Sequence, residues 1–389
     1  MVTLSAFAYF TSYAMLLPAL PRFVQGPLGG GGIAVGITAG AFGVTALLLR
    51  PFVGVLGDRR GRRILIMSGT FGVALSVAAL SLADVLWLVV VLRLIGGAGE
   101  AAFFVGAASA ITDLAPPERR GEALSLFSIA LYAGIATGPY LSEILNRGVR
   151  FDVVFWVSAS LSLLAFLFAV PTPDTRPEPV AAVQRRRRVL HPAGVVPGLV
   201  MLTSVWGFAG YMAFLPLYAD DLGLSGARNI LLMYGVVMVA IRAFGARIPD
   251  RYGAARVGRV GLAASALGLA IVTIWGEAPG LFAGSVVFAF GQALAFPAFM
   301  ALSASAAPPA ERGAAVGTTT AFIDLGFFVG PVTFGPVAAV LGNQASFAVG
   351  AVVAALGVVL QVGLARHPAG SMLSVRSAGG ARAAEPVEP

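Results

Sequence analysis

Two acids and three guanidinium groups sit inside long apolar stretches of this chain. An ionised side chain is costly there and by default marks function. Glu100 lies 15 residues into the run 85–112, and Asp324 lies 11 residues into the run 313–341. Arg93 precedes Glu100 by seven residues. In a helix that spacing falls about 20° short of two turns, so the two share one face with about 10.5 Å of rise between them. Arg50 and Arg242 each stand eight residues before an acid, Asp58 and Asp250. A carboxylate buried at such depth can take up a proton on one side of a barrier and release it on the other. Its structural alternative is a permanent pair with an Arg or a hydroxyl. Asp324 is either a second protonation site or the partner of Arg242 or another buried donor. Other chemistry is scarce. The chain has no Cys, and its two His are His191 and His367, which leaves no thiolate, disulfide or metal cluster. No nucleophile and base pair stands out, so an enzyme is not expected, nor a cofactor.

The elements that must hold these groups are membrane helices. Of 389 residues, 58% are hydrophobic and 11% charged, and the mean hydropathy is +0.88. Soluble chains carry roughly 25% charged residues, so a soluble globular protein is excluded. A disordered chain is excluded too, because it needs low hydrophobicity. Twelve apolar runs are long enough to cross a bilayer as helices: 3–22, 33–56, 64–83, 85–112, 122–145, 150–170, 193–219, 228–249, 256–275, 279–305, 313–341 and 344–365. They are continuous rather than alternating, which favours helices over a barrel. The first run has no basic region before it and many runs after it, unlike a cleaved signal peptide.

Charge sets the expected orientation. Every basic residue is Arg, and 18 of the 26 fall in alternate loops and the tail, against four in the opposite loops: Arg22, Arg147, Arg150 and Arg228. The positive-inside rule then puts both termini in the cytoplasm. The formal charge of +8 is spread in short clusters between apolar runs, so no nucleic-acid partner is expected. Segment 171–192, which combines Pro171, Pro173, Pro177 and Pro179 with Arg185–Arg188, reads as a cytoplasmic linker that carries a topology signal or touches anionic lipid. Residues 366–389 read as a disordered cytoplasmic tail.

An internal repeat organises the runs. Arg50, Asp58, Gly121 and the pair Gly138-Pro139 recur 192 residues later as Arg242, Asp250, Gly313 and Gly330-Pro331. Tyr13 through Pro18 matches Tyr211 through Pro216 at an offset of 198. The chain therefore divides into two six-helix bundles, 1–170 and 193–365. Each begins on the same side, as parallel repeats around an axis along the membrane normal. Such repeats are a transporter architecture with the substrate site between them near the midplane. The repeat mate of Glu100 is Gln292, and that of Asp324 is Tyr132. Gln292 is expected either to bind substrate or to pack between helices.

Between the second and third runs stands Gly54-Val-Leu-Gly-Asp58-Arg59-Arg-Gly61-Arg62-Arg63. It resembles the loop signature of the major facilitator superfamily. Its second copy keeps Asp250, Arg251 and Gly253 but has Ala254 and Ala255 in place of two Arg. Arg93-Leu-Ile-Gly96-Gly97-Ala-Gly99 is similar to that family's second motif, whose Arg is associated with proton transfer. Gly134-Ile-Ala-Thr-Gly138-Pro139 resembles the signature of its drug:proton antiporters, although Ser142-Glu143 replaces the usual glycine pair. Pro18-Ala-Leu-Pro21 also resembles the twelve-span drug exporters.

The resemblance implies an all-α integral membrane fold of twelve spans around a central cavity, formed by spans 1, 4, 7 and 10. It implies a conformational latch of Gly54, Asp58, Arg59, Gly61, Arg62, Arg63 and Asp113, joined by Arg50, Arg242 and Asp250. Proton coupling is then expected at Glu100, Asp324 and Arg93. Substrate contacts are expected from Tyr13, Gln292, Tyr211, Trp206 and Tyr9, aromatics that suit amphipathic ligands or instead anchor at the interface. Glu143 is expected to gate or to be structural. The implied activity is proton-driven export of small amphipathic molecules from a bacterial cell across its cytoplasmic membrane, by a monomer whose partners are substrate, protons and lipid. Proton-coupled uptake of a small metabolite is the alternative.

Overall fold

The computed structural model describes residues 1–116, 119–146, 150–175, 190–245, 248–308 and 311–366. All regular structure in them is helical. The first half holds α1 (Val2–Gln25), α2 (Gly32–Arg60), α3 (Arg62–Leu80), α4 (Leu86–Leu114), α5 (Arg120–Leu145) and α6 (Phe151–Ala169). The second holds α7 (Pro192–Asp221), α8 (Arg228–Gly245), the short α9 (Ile248–Tyr252), α10 (Ala254–Ile274), α11 (Ala278–Ser305), α12 (Arg312–Leu341) and α13 (Asn343–Arg366). Among the described residues ten helices are long and apolar enough to cross a membrane, a set that does not include α5 and α8. The eighth apolar run appears as α8 and α9. The linker arginines Arg185–Arg188 and the tail after 366 lie outside the described residues, and so does the side chain of Asp250.

The two halves pack alike. In the first, α1 lies against α5 and α6, and α3 against α4 and α6. In the second, α7 lies against α12 and α13, and α10 against α11 and α13. Glycine lets these helices meet backbone to backbone. A Cβ at Gly69 would come within 2.5 Å of the Gly99 carbonyl, and one at the equivalent Gly261 within 2.8 Å of the Gly291 carbonyl. The turns also repeat. Gly61 (φ 97°) follows α2, and Gly253 (φ 84°) follows α9, each in a left-handed conformation that L side chains rarely adopt.

The halves meet through α2 with α12, α5 with α8, and α1 with α7. Along α2, a Cβ at Gly36, Gly40 or Gly43 would stand 2.5–2.7 Å from the backbone oxygens of Pro331, Phe328 and Asp324 in α12. At the Arg-poor face, Arg22 at the end of α1 bonds Glu143 of α5 and reaches across to Asp220 of α7 at 2.6 and 2.8 Å. It also donates to the Pro216 carbonyl at 3.2 Å. Toward the Arg-rich face, Arg62 in the turn after α2 pairs with Asp58 at 2.8 Å and with Asp113 at 3.3 Å.

Candidate functional site

A cavity of about 140 Å³ lies between the halves. An apolar cavity of that size holds a benzene-sized ring. Eight helices line it, in repeat-related pairs: α1 and α7, α2 and α8, α4 and α11, α5 and α12. Most of the wall is aromatic or aliphatic. Its charged residues are Arg50, Glu100, Arg242 and Asp324.

Arg50 is the hub. Its Nε donates to Asp324 Oδ2 at 2.5 Å and its Nη2 to Asp324 Oδ1 at 2.7 Å, a two-pronged, charge-assisted pair across the two halves. The same Nη2 reaches Glu100 Oε2 at 3.4 Å. All three side chains are nearly buried, with relative exposures of 6–12%. Phe104 covers the guanidinium, its ring centre 5.2 Å from Cζ. One cation is thus shared by two carboxylates, held closely by Asp324 and loosely by Glu100. Asp324 therefore finds its buried donor in Arg50, not in Arg242.

The second Arg stands in a different setting. Arg242 Cζ lies 3.7 Å from the ring centre of Tyr132 and 5.7 Å from that of Phe296. Its Nε and Nη2 are buried without a hydrogen-bond partner among the described residues. Tyr132 and Phe296 are the repeat mates of Asp324 and Phe104.

The family model described as Major Facilitator Superfamily matches residues 2–278 and, in a second overlapping match, 229–384. The chain belongs to the major facilitator superfamily. It is a multi-pass membrane transporter. Similar proteins include an uncharacterised MFS-type transporter of Salmonella typhimurium, 27% identical over 371 residues, which covers 92% of this chain and 93% of that one. One of Burkholderia mallei is 27% identical over 374 residues, covering 93% and 91%. Among solved structures, the human organic anion transporter MFSD10 (TETRAN) superposes with a TM-score of 0.71 at 21% identity, covering 92% of this chain and 97% of that one. An inward-facing, occupied bacterial homologue of the human lysosomal transporter Spinster gives 0.73 at 15% identity, covering 96% and 94%. At these identities the superpositions establish the fold.

The other expected residues of the transporter fall in three places. Arg93 faces a smaller cleft nearer the Arg-poor side, with its Cζ 4.7 Å from the Phe42 ring centre and its Nε 3.4 Å from the Thr38 carbonyl. Tyr13 lines both that cleft and the main cavity. Gln292 lines the cavity, but its amide is bonded to Ser204 and Ser265 within its own half. Tyr9 is buried against Phe103, Tyr211 donates to Ser285 Oγ at 2.6 Å, and the Trp206 indole donates to Thr333 Oγ1 at 2.8 Å. None of those three is among the cavity-lining residues.

Of the expected latch, Asp58, Arg62 and Asp113 meet directly. Thr175 ties them to the chain after α6, its hydroxyl on Asp113 and its carbonyl on the Arg62 backbone N–H. Among the described residues, Arg59 is exposed, Arg63 Nε has no bond partner, and a Cβ built on Gly54 would meet no other helix within 4 Å. Among the described residues Arg50 pairs with Asp324 and Glu100. Eight helical residues put Asp58 about 12 Å farther along α2, beyond the reach of a guanidinium. Gly134 and Gly138 seat α5 on α1, each within 2.8 Å of the Thr11 backbone were a Cβ added. Pro139 lines the cavity.

Phe104, Phe296 and Tyr132 were not singled out as site residues. The signal for them was the 192-residue offset, which pairs each with a residue near a buried charge.

Proposed function

We propose that the transporter is a twelve-span, monomeric secondary carrier of the bacterial cytoplasmic membrane, with both termini inside, that exports small amphipathic molecules in exchange for protons. The observation that carries this reading is Arg50, bonded at once to Glu100 of the first half and Asp324 of the second. With Glu100 ionised, one cation faces two carboxylates. A proton on Glu100 leaves Arg50 and Asp324 as a neutral, doubly bonded pair. Proton occupancy thus changes the charge at the junction between the halves, about which they rock during alternating access. Gly134, Gly138 and Pro139 support exchange over uptake through the antiporter signature. The Arg22 clamp and the α2–α12 contact support a state closed at the outer face, in which substrate enters from the cytoplasm.

The test is proton flux in everted vesicles, acid inside, on adding amphipathic dyes and antibiotics. Substrate-induced alkalinisation of the interior in wild type, absent in Glu100→Gln, is the expected result. Wild-type flux in Glu100→Gln sinks the coupling role.

One observation favours the second reading, proton-coupled uptake. Arg242 lacks a carboxylate partner among the described residues, so a proton on Glu100 leaves the cavity charges with a positive excess. An anion and a proton would then be favoured together. Accumulation driven by a proton gradient directed with the substrate separates the two readings.

A further inference from the structure

We propose that the ligand of the central cavity is a small amphipathic organic anion, an apolar or aromatic body bearing one carboxylate or sulfonate, with Arg242 as its anion-binding residue. The inference rests on the reading of this cavity as the substrate site, and it holds for either direction of transport.

The argument compares atoms, not only residues. Arg50 presents the edge made by Nε and Nη2 to Asp324, one nitrogen to each carboxylate oxygen, at 2.5 and 2.7 Å. On Arg242 the same two atoms, Nε and Nη2, are the ones without a partner. The difference follows from one residue of the repeat: where α12 carries Asp324, α5 carries Tyr132. The Tyr132 ring takes the face of the guanidinium, 3.7 Å from Cζ. A ring on the face does not use the in-plane N–H edge, which is buried and has no acceptor among the described residues. Two parallel N–H groups match the two oxygens of a carboxylate in geometry and charge.

A buried cation with unmet donors favours a ligand that brings the missing charge and acceptors together. A cationic ligand would face Arg242 with like charge, while its natural counter-ions, Glu100 and Asp324, are already engaged by Arg50. The rest of the ligand meets aromatic and aliphatic wall, including Phe296 and Phe208. The volume of about 140 Å³ suits a single ring.

The test is equilibrium binding of radiolabelled benzoate, benzenesulfonate and 1-naphthoate to the purified full chain in nanodiscs, with benzamide and benzylamine as neutral and cationic counterparts. Saturable binding of at least one anion, at least tenfold tighter than benzamide or benzylamine, is expected. It should weaken at least tenfold in Arg242→Gln and recover in part in Arg242→Lys, which restores the charge but not the fork. The variant Tyr132→Asp, which gives Arg242 the carboxylate that Arg50 has, should fold and lose anion binding. That keeps the proposal testable if Arg242→Gln is unstable.

Absence of saturable anion binding to wild type, equal binding by Arg242→Gln, or a preference for benzylamine overturns the proposal. The transport reading fails separately. Substrate-driven proton flux without anion preference leaves proton coupling standing and removes this inference. Arg242-dependent anion binding with flux unaffected by Glu100→Gln does the reverse.

Discussion

Arg50 and Arg242 occupy equivalent places on α2 and α8, yet they live in opposite electrostatic worlds. Arg50 is neutralised twice over, by Asp324 and Glu100, and capped by Phe104. Arg242 has Tyr132, Gln292 and Phe296 at the matching positions, and so has a ring and an amide in place of the two carboxylates. One corner is a closed ionic junction between the halves. The other keeps hydrogen-bond donors in reserve. A duplicated scaffold thus carries a doubly paired guanidinium at one corner and one with unmet donors at the other, through two substitutions on a shared backbone.

The sharpest way to break this comparison is to remove each guanidinium in turn. Arg50→Gln leaves two carboxylates in a nearly dry site, and a loss of about 3–5 kcal/mol is expected for a buried charge stripped of its partner. Arg242→Gln loses a cation–ring contact but also removes unmet donors, so a change within about 1 kcal/mol is expected. Thermal unfolding in detergent checks both, and equal losses would abolish the distinction.

Next in size is the double variant. Arg50→Gln with Asp324→Asn removes both partners of the fork and should recover about 1–3 kcal/mol of the single loss, a non-additivity that unfolding measures directly. Strict additivity would mean that the two side chains act independently. Gly36→Leu should then cost about 1–3 kcal/mol by overpacking α2 against α12. Because the chain has no native Cys, a single Ala213→Cys reporter can follow it. Labelling by an impermeant maleimide from the Arg-poor side should rise. Arg22→Gln should raise the same labelling and cost about 1–3 kcal/mol, because it leaves the buried Glu143 carboxylate without its cation, whereas the half-exposed Asp220 pair is screened and adds little. The smallest stability effect belongs to Glu100→Gln, within about 1 kcal/mol, because a single long bond holds that carboxylate.

What the sequence could reveal depended on what the repeat encodes. The offset of 192 residues ties Gly61 to Gly253 and Gly69 to Gly261, and the structure uses each pair alike, because backbone packing within a half depends on local spacing. Pairing across halves is a different matter. Asp324 had several conceivable donors, and nothing in a linear pattern says that α2 of one half lies on α12 of the other. Helical rise did place Asp58 about 12 Å from Arg50 along α2. Tyr9, Tyr211 and Trp206 lie on the expected helices but turn into helix packing, since helix rotation is set by neighbours such as Phe103 and Ser285. Tyr132 escaped notice as a site residue because an aromatic in an apolar run looks like core until its partner is known to be an Arg.

The contact between α2 and α12 has a mechanical meaning. Gly36, Gly40 and Gly43 bring the two helices together on the Arg-poor side, and the close approach ends at Asp324, the residue that Arg50 grips two turns farther along α2. The pair resembles two levers crossed at a pin. From Gly43 to the end of α2 at Arg60 the arm is about 26 Å long at helical rise. A tilt of roughly 15°, of the size seen in rigid-body switching, swings its tip by about 7 Å. The ionic pin therefore sits close to the pivot, where small rotations stretch it little, while the loop carrying Asp58 and Arg62 sits at the far end, where the same rotation is largest.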